Sequence, residues 1–277
     1  MNTTDGVKNS RPRLSAVIIA HNEEARLEDC LRSITGVADE IVLIDDGSTD
    51  ATVAIARSFG ARVLTRPFDT AARQMNFGIR AARGQWILII DADERLTGEL
   101  ADEIRQVLDA PEECQAYYFP RRNIVFGRWL RHGGNYPDYN SARLFLRGWA
   151  WFEDQPVHAR LLLQGNAGYL RGPLLHLTAP NLEHYLGKFN AYTSFEAERM
   201  QKAGVRYSWL RMTGHALYHV VRRLIVQAAF LDGVAGLQYV FLGFVYDVIR
   251  YWKLRERQLR SPASMAARVR GTHAYRH

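Results

Sequence analysis

Two aspartates separated by one residue follow an apolar run in the first half of the chain. Asp91 and Asp93 come directly after residues 86–90, WILII. In an extended chain alternate side chains point to the same side, so both carboxylates can face one ligand. Mg²⁺ and Mn²⁺ prefer oxygen ligands, and they often take only one or two protein carboxylates, with phosphates and water completing the shell. The pattern indicates a divalent-metal site that neutralises a leaving diphosphate; alternatively, Asp93 and Glu94 only cap the next helix.

Further carboxylates follow two earlier apolar runs. Asp45 and Asp46 end the run EIVLIDD, and Glu23 comes just after SAVIIAHN. Adjacent carboxylates repel each other unless donors or solvent offset their charge. The N–H of uracil and the hydroxyls of ribose are such donors, which favours a nucleoside site. The alternatives are a turn with a helix cap for the aspartates, and a place in the first turn of a helix for Glu23.

The apolar periodicity predicts the elements that must position these residues. Short apolar runs typical of buried strands alternate with segments at helical spacing. The predicted strands are 15–20, 40–45, 62–65, 86–90 and 116–120, and the predicted helices are 24–34, 50–59, 69–83 and 97–108. This alternation predicts an α/β fold with a mostly parallel sheet flanked by helices. Ligands of such sheets bind outside the carboxyl ends of the strands, where the acidic residues lie.

Composition excludes several classes of protein. With 277 residues, 47% hydrophobic and 23% charged, the chain can bury a substantial core and is not disordered throughout. Its two cysteines cannot form a disulfide framework, and Cys30 has the spacing of a small core residue. The weak periodicity of residues 121–180 predicts loops and short strands, and the pattern of residues 182–200 predicts a helix.

The C-terminal part is basic and apolar together. From Arg206 onward there are 12 basic and 3 acidic residues, and between 224 and 246 only Asp232 is charged. That length suffices for a transmembrane helix, but a charge in mid-membrane costs about 2.5–3.5 kcal/mol. We therefore expect two amphipathic helices, divided at Asp232, that lie in the interface of an anionic membrane. Two helices packed in a soluble core are the alternative. The polar N-terminus lacks the apolar stretch of a signal peptide, which predicts a cytoplasmic protein, peripheral on the inner face of the cytoplasmic membrane.

Four of these pieces together resemble glycosyltransferase family 2, which has the GT-A fold. They are SAVIIAHNEE, EIVLIDDGSTDAT, ARQMNFGI and GQWILIIDADE, and they match in order, spacing and strand context across about residues 14–100. The later runs RRNIVFGRWLRHGGNYPDYNSARLF, VHARL and YWKL resemble a subgroup, the lipopolysaccharide inner-core glucosyltransferases. The resemblance extends to about Leu254.

The resemblance implies roles for particular side chains in binding the donor and the metal. The implied residues are Glu23 and Asp45 or Asp46 for uracil and ribose, Asn76 for the nucleoside pocket, Asp91 for ribose or diphosphate, and Asp93 for Mg²⁺ or Mn²⁺. The family inverts the anomeric carbon in one displacement, so a general base must take the proton of the acceptor hydroxyl.

The identity of that base departs from the subgroup pattern. The subgroup carries Val-His-Glu, whereas this chain has Val157, His158 and Ala159. We expect Asp154 to be the base, with His158 as the second candidate, since a histidine titrates near neutral pH. The alternatives are that Asp154 caps a loop and that His158 is structural.

Polar residues on a glycine-rich loop are candidates for contact with the acceptor. They are Arg131, His132, Asp138 and Arg143, and arginine suits phosphorylated or acidic core sugars. Alternatively, Arg143 pairs with Asp138 and holds the loop.

The sequence thus predicts a metal-dependent inverting hexosyltransferase that moves a sugar, glucose by resemblance, from a UDP-sugar to a lipid-linked saccharide such as lipopolysaccharide inner core. The alternatives are a polyprenyl-phosphate sugar synthase and a non-catalytic sugar-nucleotide binder. Nucleic-acid binding is disfavoured because the basic tail carries no recognisable motif. The predicted segments are a flexible start (1–13), a GT-A domain (14–204) with a nucleotide-sugar half (14–120) and an acceptor half (121–204), a helical appendage (205–257) and a flexible basic tail (258–277).

Overall fold

The computed structural model describes residues 11–110, 113–155, 159–179 and 181–260. Internal contacts divide the chain into two compact units. Of the described residues, unit 1 contains those between 11 and 122 together with 137–176, and unit 2 contains 123–136 and those between 177 and 260. The predicted acceptor half is thus shared between the units, and the predicted appendage lies in unit 2.

Unit 1 is an α/β unit with short strands after its fourth helix. Its helices are α1 (Glu24–Ile34), α2 (Thr52–Ser58), α3 (Ala71–Ala81) and α4 (Gly98–Asp109). Its strands are β1 (Leu14–Ala20), β2 (Glu40–Asp45), β3 (Arg62–Thr65), β4 (Trp86–Ile89), β5 (Glu94–Leu96), β6 (Ala116–Tyr118), β9 (Leu144–Leu146), β10 (Ala150–Phe152), β11 (Leu161–Leu163) and β12 (Ala167–Tyr169). Two further strands, β7 (Arg121–Val125) and β13 (Leu174–Ala179), contain the points where the chain passes between the units.

Seven strands within the described ranges form the main sheet, in the order β12-β6-β9-β4-β1-β2-β3. The pairs β4–β1, β1–β2, β2–β3 and β6–β12 are parallel, whereas β9 runs antiparallel to both of its neighbours. In the β1–β2 register Ala20 lies opposite Asp45, so both strands end at the same level. The sheet is therefore mostly parallel, and the segments that follow β4, β1 and β2 leave one edge side by side.

Helices cover the sheet through apolar faces at helical spacing. In α1 the buried residues Leu27, Cys30, Leu31 and Ile34 recur every three or four positions and join one core cluster with β1 and β4. A second cluster combines α3 with the other side of the sheet. Burial raises the pKa of the Cys30 thiol far above its usual range, so this cysteine is the inert core residue that its spacing predicts.

Unit 2 is mainly helical. It contains β8 (Arg128–Trp129), α5 (Leu182–Lys202), α6 (Trp209–Val221), one π-helical turn (Arg222–Val226), one 3₁₀ turn (Ala229–Asp232) and α7 (Gly233–Leu259). The predicted division of the apolar segment at Asp232 coincides with the start of α7. Helices α5, α6 and α7 share a small core around Ala197, Met212, Tyr251 and Leu254.

One helical segment among the described residues, Ala229–Leu259, is long and apolar enough to cross a membrane by length and composition. Only 17% of its most apolar 18-residue window is buried. Most apolar side chains of this segment are therefore at least partly exposed, and few are enclosed in a core.

Candidate active site

The loops that follow β1 and β2 are hydrogen-bonded to each other at the sheet edge. Asn22 accepts the Thr49 N–H through Oδ1 at 2.8 Å, and its own N–H donates to Ser48 Oγ. Glu24 accepts the Ala51 N–H at 2.9 Å, while Asp50 accepts the Glu24 N–H at 3.1 Å. These reciprocal bonds fix the two loops as one surface, which suits a preorganised binding site.

The adjacent aspartates at the end of β2 have different surroundings. Asp45 is buried, and its carboxylate accepts the N–H groups of Gly47 and Ser48. Gly47 has φ +77, a conformation that glycine adopts readily, so Asp45 holds a tight turn. Asp46 is half-buried; Oδ1 accepts the Phe68 N–H at 2.6 Å, and Oδ2 lies 3.8 Å from His21 Nδ1. Asp45 therefore has the turn-holding role that was the alternative to nucleoside binding. The side chain of Asp46 is 25% exposed.

The chain does not stay extended after β4, which corrects the expectation for Asp91 and Asp93. It turns at once, because the Glu94 N–H donates to the Asp91 carbonyl at 2.9 Å. Glu94 is fully buried, and its carboxylate accepts the Asp91 N–H at 2.9 Å. The two aspartates are therefore presented by a turn, not by strand alternation.

Arg143 forms ion pairs with two carboxylates of this turn. Its guanidinium lies 3.3 Å from the Asp91 carboxylate and 3.0 Å from the Glu94 carboxylate. Burial alone would raise the pKa of Asp91, but the neighbouring Arg143 outweighs it, so the pKa lies below its usual range. Burial raises the pKa of Glu94 to about 7 despite the same arginine. Asp91, with 39% of its side chain exposed, is thus an ionised group that a ligand can reach.

Asp93 lies between an arginine and a histidine. Arg26 Nη1 is 3.8 Å from its Oδ2, and His176 Nε2 is 3.7 Å from its Oδ1. Arg26 also contacts Glu23 at 2.6 Å, so Glu23 and Asp93 share one arginine. Burial lowers the pKa of His176 to about 4, which keeps its ring neutral at physiological pH.

The donor set of the turn fits a small hard cation. Asp91 and Asp93 supply carboxylate oxygens, the ligands that Mg²⁺ and Mn²⁺ prefer. Within the described ranges, no group of three or more histidine, cysteine, aspartate or glutamate side chains is arranged to hold a metal ion. The pair therefore suits an ion that takes its other ligands from a diphosphate and water, and not a closed all-protein site.

The structure gives two other predicted site residues contacts within unit 1. Asn76 donates to the Phe152 carbonyl and accepts the Phe152 N–H, both at 2.8 Å, so its amide ties α3 to β10. Asp154 is exposed and forms a bidentate pair with Arg73 at 2.5 and 2.8 Å. That arginine lowers the pKa of Asp154. His158 lies outside the described residues.

The four acceptor candidates fall into both units. In unit 1, Arg143 pairs with Asp91 and Glu94, and Asp138 pairs with Arg121 at 2.6 Å, so the alternative of an Arg143–Asp138 pair is wrong. Arg121 pairs with Asp138 because the backbones of these two residues form a β-bridge. Arg121 also lies close to Glu94.

In unit 2, Arg131 lies over the Trp129 ring, 4.3 Å from its centroid. The His132 N–H and its ring Nδ1 both contact the Asp232 carboxylate at 2.8 Å. The charge in the middle of the apolar segment is therefore hydrogen-bonded to the glycine-rich loop, and 6% of the Asp232 side chain is exposed. This contact gives Asp232 a structural role within unit 2.

Four residues around the turn were not predicted from the sequence as site residues. They are Arg26, Glu94, Arg121 and His176. Glu94 was visible as part of Asp-Ala-Asp-Glu but was interpreted only as a helix cap. The others are distant in sequence, and no local pattern connects them with Asp93.

Comparison with known proteins relates this chain to glycosyltransferases. The family model described as "Glycosyl transferase family 2" matches residues 15–163. The lipopolysaccharide core biosynthesis glycosyltransferase LpsC of Rhizobium meliloti is 30% identical over 251 residues, 88% of this chain and 92% of that protein. An uncharacterized glycosyltransferase of Rickettsia typhi is 26% identical over 90% of this chain and 89% of its own length.

Solved structures also match. Glucosyl-3-phosphoglycerate synthase from Mycobacterium tuberculosis, in complex with Mn²⁺, UDP-glucose and phosphoglyceric acid, is 27% identical with a TM-score of 0.33. The match covers 40% of this chain and 44% of that one, so this chain spans less than half of that enzyme. S. aureus TarS is 12% identical over 90% of this chain and 93% of its own, with a TM-score of 0.44.

The family model covers more than half of this chain, and the predicted resemblance and α/β fold class are both confirmed. This chain belongs to glycosyltransferase family 2.

Proposed function

We propose that this chain is an inverting, metal-dependent glycosyltransferase that moves glucose from UDP-glucose to the inner core of lipopolysaccharide. The observation that carries the proposal is the edge of the main sheet in unit 1. There the chain leaves β1, β2 and β4 through three acidic segments, and Asp91 is held ionised by Arg143. The R. meliloti relative, named for lipopolysaccharide core biosynthesis, supports the acceptor class.

In this proposal Asp93 and Asp91 hold Mg²⁺ or Mn²⁺. When bound, the ion stabilises the charge that develops on the leaving diphosphate. Glu94 and Arg143 position the turn: Glu94 accepts the Asp91 N–H, and Arg143 keeps the Asp91 carboxylate charged.

The same surface binds the nucleoside. We assign contact with uracil and ribose to Asp46 and Glu23, whose side chains lie in the two hydrogen-bonded loops. Asp45 acts indirectly, since its oxygens hold the Gly47–Ser48 turn. Asn76 likewise positions α3 against β10 through Phe152.

Asp154 is the proposed general base, and His158 is the second candidate. A carboxylate paired with arginine is a poor proton acceptor, because the cation stabilises its ionised form. The proposal therefore requires Arg73 to release Asp154 when the acceptor binds, so that the carboxylate can accept the proton of the acceptor hydroxyl. Arg131 remains a proposed contact for a phosphorylated or acidic core sugar. Asp138 remains a proposed acceptor contact only through sugar hydroxyls, since its carboxylate would repel an anionic group.

The decisive experiment compares Asp93→Asn with Asp102→Asn, an exposed aspartate on α4. Each protein is mixed with a panel of nucleotide sugars and rough-type lipopolysaccharide, with Mn²⁺ or with chelator, and products are identified by mass spectrometry. We expect Asp93→Asn to lose at least about 100-fold in turnover, the scale of removing one strong electrostatic contact in a transition state. Calorimetry with UDP should also lose its Mn²⁺ dependence, whereas Asp102→Asn should match the wild type.

Other outcomes separate the alternatives. Transfer to polyprenyl phosphate in place of lipopolysaccharide would identify a polyprenyl-phosphate sugar synthase. Nucleotide binding with no product from any acceptor would identify a non-catalytic binder. Full turnover in chelator would remove the metal from the mechanism.

A further inference from the structure

A cavity lies wholly within unit 2 and has no part in the transfer reaction proposed above. It measures about 360 Å³ and is enclosed by α5, α6, the π-helical turn and α7. Its polar lining residues include Tyr185, His219, Arg223, Tyr239, Tyr246 and Arg250. Two guanidinium groups and three phenols in one cavity are donors suited to an anion.

The acidic residue of the cavity is already neutralised. Asp247, which is 3% exposed, accepts from Arg250 Nη2 at 2.7 Å and lies 2.6 Å from His219 Nδ1. Arg250 also lies 4.0 Å from Glu196. Its buried Nε makes no hydrogen bond among the described residues, so one donor of this guanidinium is unused. Asp247 consequently holds His219 and Arg250 in place at the cavity and does not serve as the counterion of a second arginine.

Arg223 is that second arginine. Its guanidinium lies over the Tyr239 ring, 5.0 Å from the centroid, and forms no hydrogen bond or ion pair with any residue that the structure describes. It is carried by the single π-helical turn of the described chain, a feature that is frequent at functional sites.

Helix α7 is shaped to accommodate this guanidinium. Gly243 faces it, and a Cβ at that position would lie 2.6 Å from Arg223 Nη1. Burial raises the pKa of Tyr185 to about 12, so its hydroxyl keeps its proton and can donate a hydrogen bond. A half-buried cation that forms no ion pair with the described residues, beside phenol donors, suits an anionic oxygen ligand.

We propose that this cavity binds a phosphate group, with Arg223 as the principal contact and Arg250 Nε and the Tyr185 hydroxyl as supporting donors. Arginine binds phosphate through paired N–H donors, which makes it a better partner than lysine for this geometry. The phosphate can belong to a phospholipid headgroup or to a soluble phosphate compound, since both present the same oxygens.

The test uses the full chain and three single variants: Arg223→Gln, Gly243→Ala and Arg222→Gln. Arg222 is the neighbouring exposed arginine, so Arg222→Gln removes the same charge outside the cavity. Gly243→Ala keeps every charge and favours the helix, but places a methyl group against the guanidinium. Circular dichroism and melting curves verify that each variant folds.

Two arms distinguish the source of the phosphate. Inorganic phosphate is titrated by calorimetry, and vesicles of phosphatidylcholine with or without phosphatidic acid are tested by flotation. Both arms are run at moderate salt, which screens exposed charges. In at least one arm Arg223→Gln and Gly243→Ala should weaken binding about tenfold or more, the range for a charged hydrogen bond, while Arg222→Gln changes it little. Loss in the phosphatidic acid arm alone assigns a lipid headgroup, and loss in the calorimetric arm assigns a soluble phosphate.

Equal weakening by Arg223→Gln and Arg222→Gln in both arms would overturn the proposal, because it would show a general effect of charge. Unchanged binding in both arms with folded Arg223→Gln would overturn it as well. Neither readout requires a sugar donor, so failure here is distinguishable from failure of the proposed transferase activity.

Discussion

Asp45 and Asp91 show how strand-end aspartates acquire different roles. Asp45 ends β2 with its carboxylate oxygens occupied by the backbone of a turn. Asp91 follows β4, faces Arg143, and exposes 39% of its side chain. A carboxylate whose oxygens are satisfied by buried N–H groups stabilises structure, whereas one charged and open to solvent can bind a cation.

Removal of Arg143 tests this reasoning at one residue. Arg143→Gln leaves Asp91 beside the fully buried Glu94 without their nearest cation. We expect the free energy of unfolding to fall by about 3–5 kcal/mol, as when one partner of a buried ion pair is removed. Denaturant unfolding at pH 7 measures it. Arg105→Gln, which breaks an exposed pair with Asp102, should cost no more than about 1 kcal/mol. Similar losses in the two variants would contradict a special role for Arg143.

Glu40 gives a prediction about pH. It accepts hydrogen bonds from Ser15 Oγ, the Arg83 N–H and Arg62. Burial opposes its ionisation, but these bonds outweigh burial and lower its pKa below the usual value of 4.5. Its stabilising contribution is therefore complete above about pH 4.5 and is lost as pH falls through the lower pKa of the folded state.

Glu40→Gln should accordingly destabilise the protein near neutral pH, with the difference from wild type shrinking below pH 4.5. Urea unfolding between pH 3 and 7 measures this difference. Glu28→Gln, at an exposed pair with Arg32, is the matched control. A difference for Glu40→Gln that is constant across this range would be inconsistent with linkage through Glu40.

At the scale of elements, α3 approaches the sheet closely because it carries glycine at the contact. A Cβ on Gly78 would lie 2.5 Å from Val17 Cγ1 and 3.1 Å from Ile44 Cγ1, both buried side chains of the sheet. The same helix carries Asn76, whose amide bonds to Phe152. The distance of α3 from the sheet therefore also sets the position of β10.

Gly78→Ala should destabilise unit 1 by about 1–3 kcal/mol through overpacking, although alanine favours helix more than glycine does. Gly98→Ala, at the start of α4 with no atom within 4 Å of the added Cβ, should be nearly neutral. Thermal melting of the two variants measures the contrast. A stabilised Gly78→Ala variant would show that α3 does not pack so closely.

At the scale of the whole molecule, unit 2 exposes many large apolar side chains. Leu210, Val226 and Val234 are 81%, 76% and 71% exposed, and they lie on α6, the π-helical turn and α7. Apolar exposure of this extent marks an interaction surface. We propose that this surface lies in the interface of an anionic membrane, where nearby basic residues add about 1 kcal/mol each at low salt.

The double variant Val226→Asp, Val234→Asp should lose flotation with vesicles containing anionic lipid, because two charges are placed where apolar side chains enter the interface. Phe68→Asp, which charges an exposed aromatic residue of unit 1, should still float. Flotation at low and moderate salt separates apolar from electrostatic attraction. Wild-type protein that never floats, or an unaffected double variant, would refute the membrane assignment.

Substitution is preferable to truncation for this test. Leu130 and Ala179 are buried in a cluster against which Ala235 and Tyr239 of α7 pack. Deleting α6 and α7 would expose that cluster, so loss of binding would not be separable from loss of structure.

The sequence by itself determined the α/β class, the principal helices and strands of unit 1, and the family. Hydrophobic periodicity and strand-end carboxylates are local signals, and they predicted β2, α1 and β3 with the bounds observed, 40–45, 24–34 and 62–65. The division of the apolar segment before α7 followed from Asp232 and Gly233 in the same way.

Only the tertiary structure decided which partner each charged residue has. Arg143 pairs with Asp91 and Glu94, which lie 52 and 49 residues away, and Asp232 pairs with His132 across 100 residues. The hydrophobic periodicity does not predict such pairs, because they depend on which strands are neighbours in the sheet and on where the chain turns. For the same reason the turn after β4 was not foreseen: a buried Glu94, held by Arg143, bends a segment that would otherwise continue as a strand.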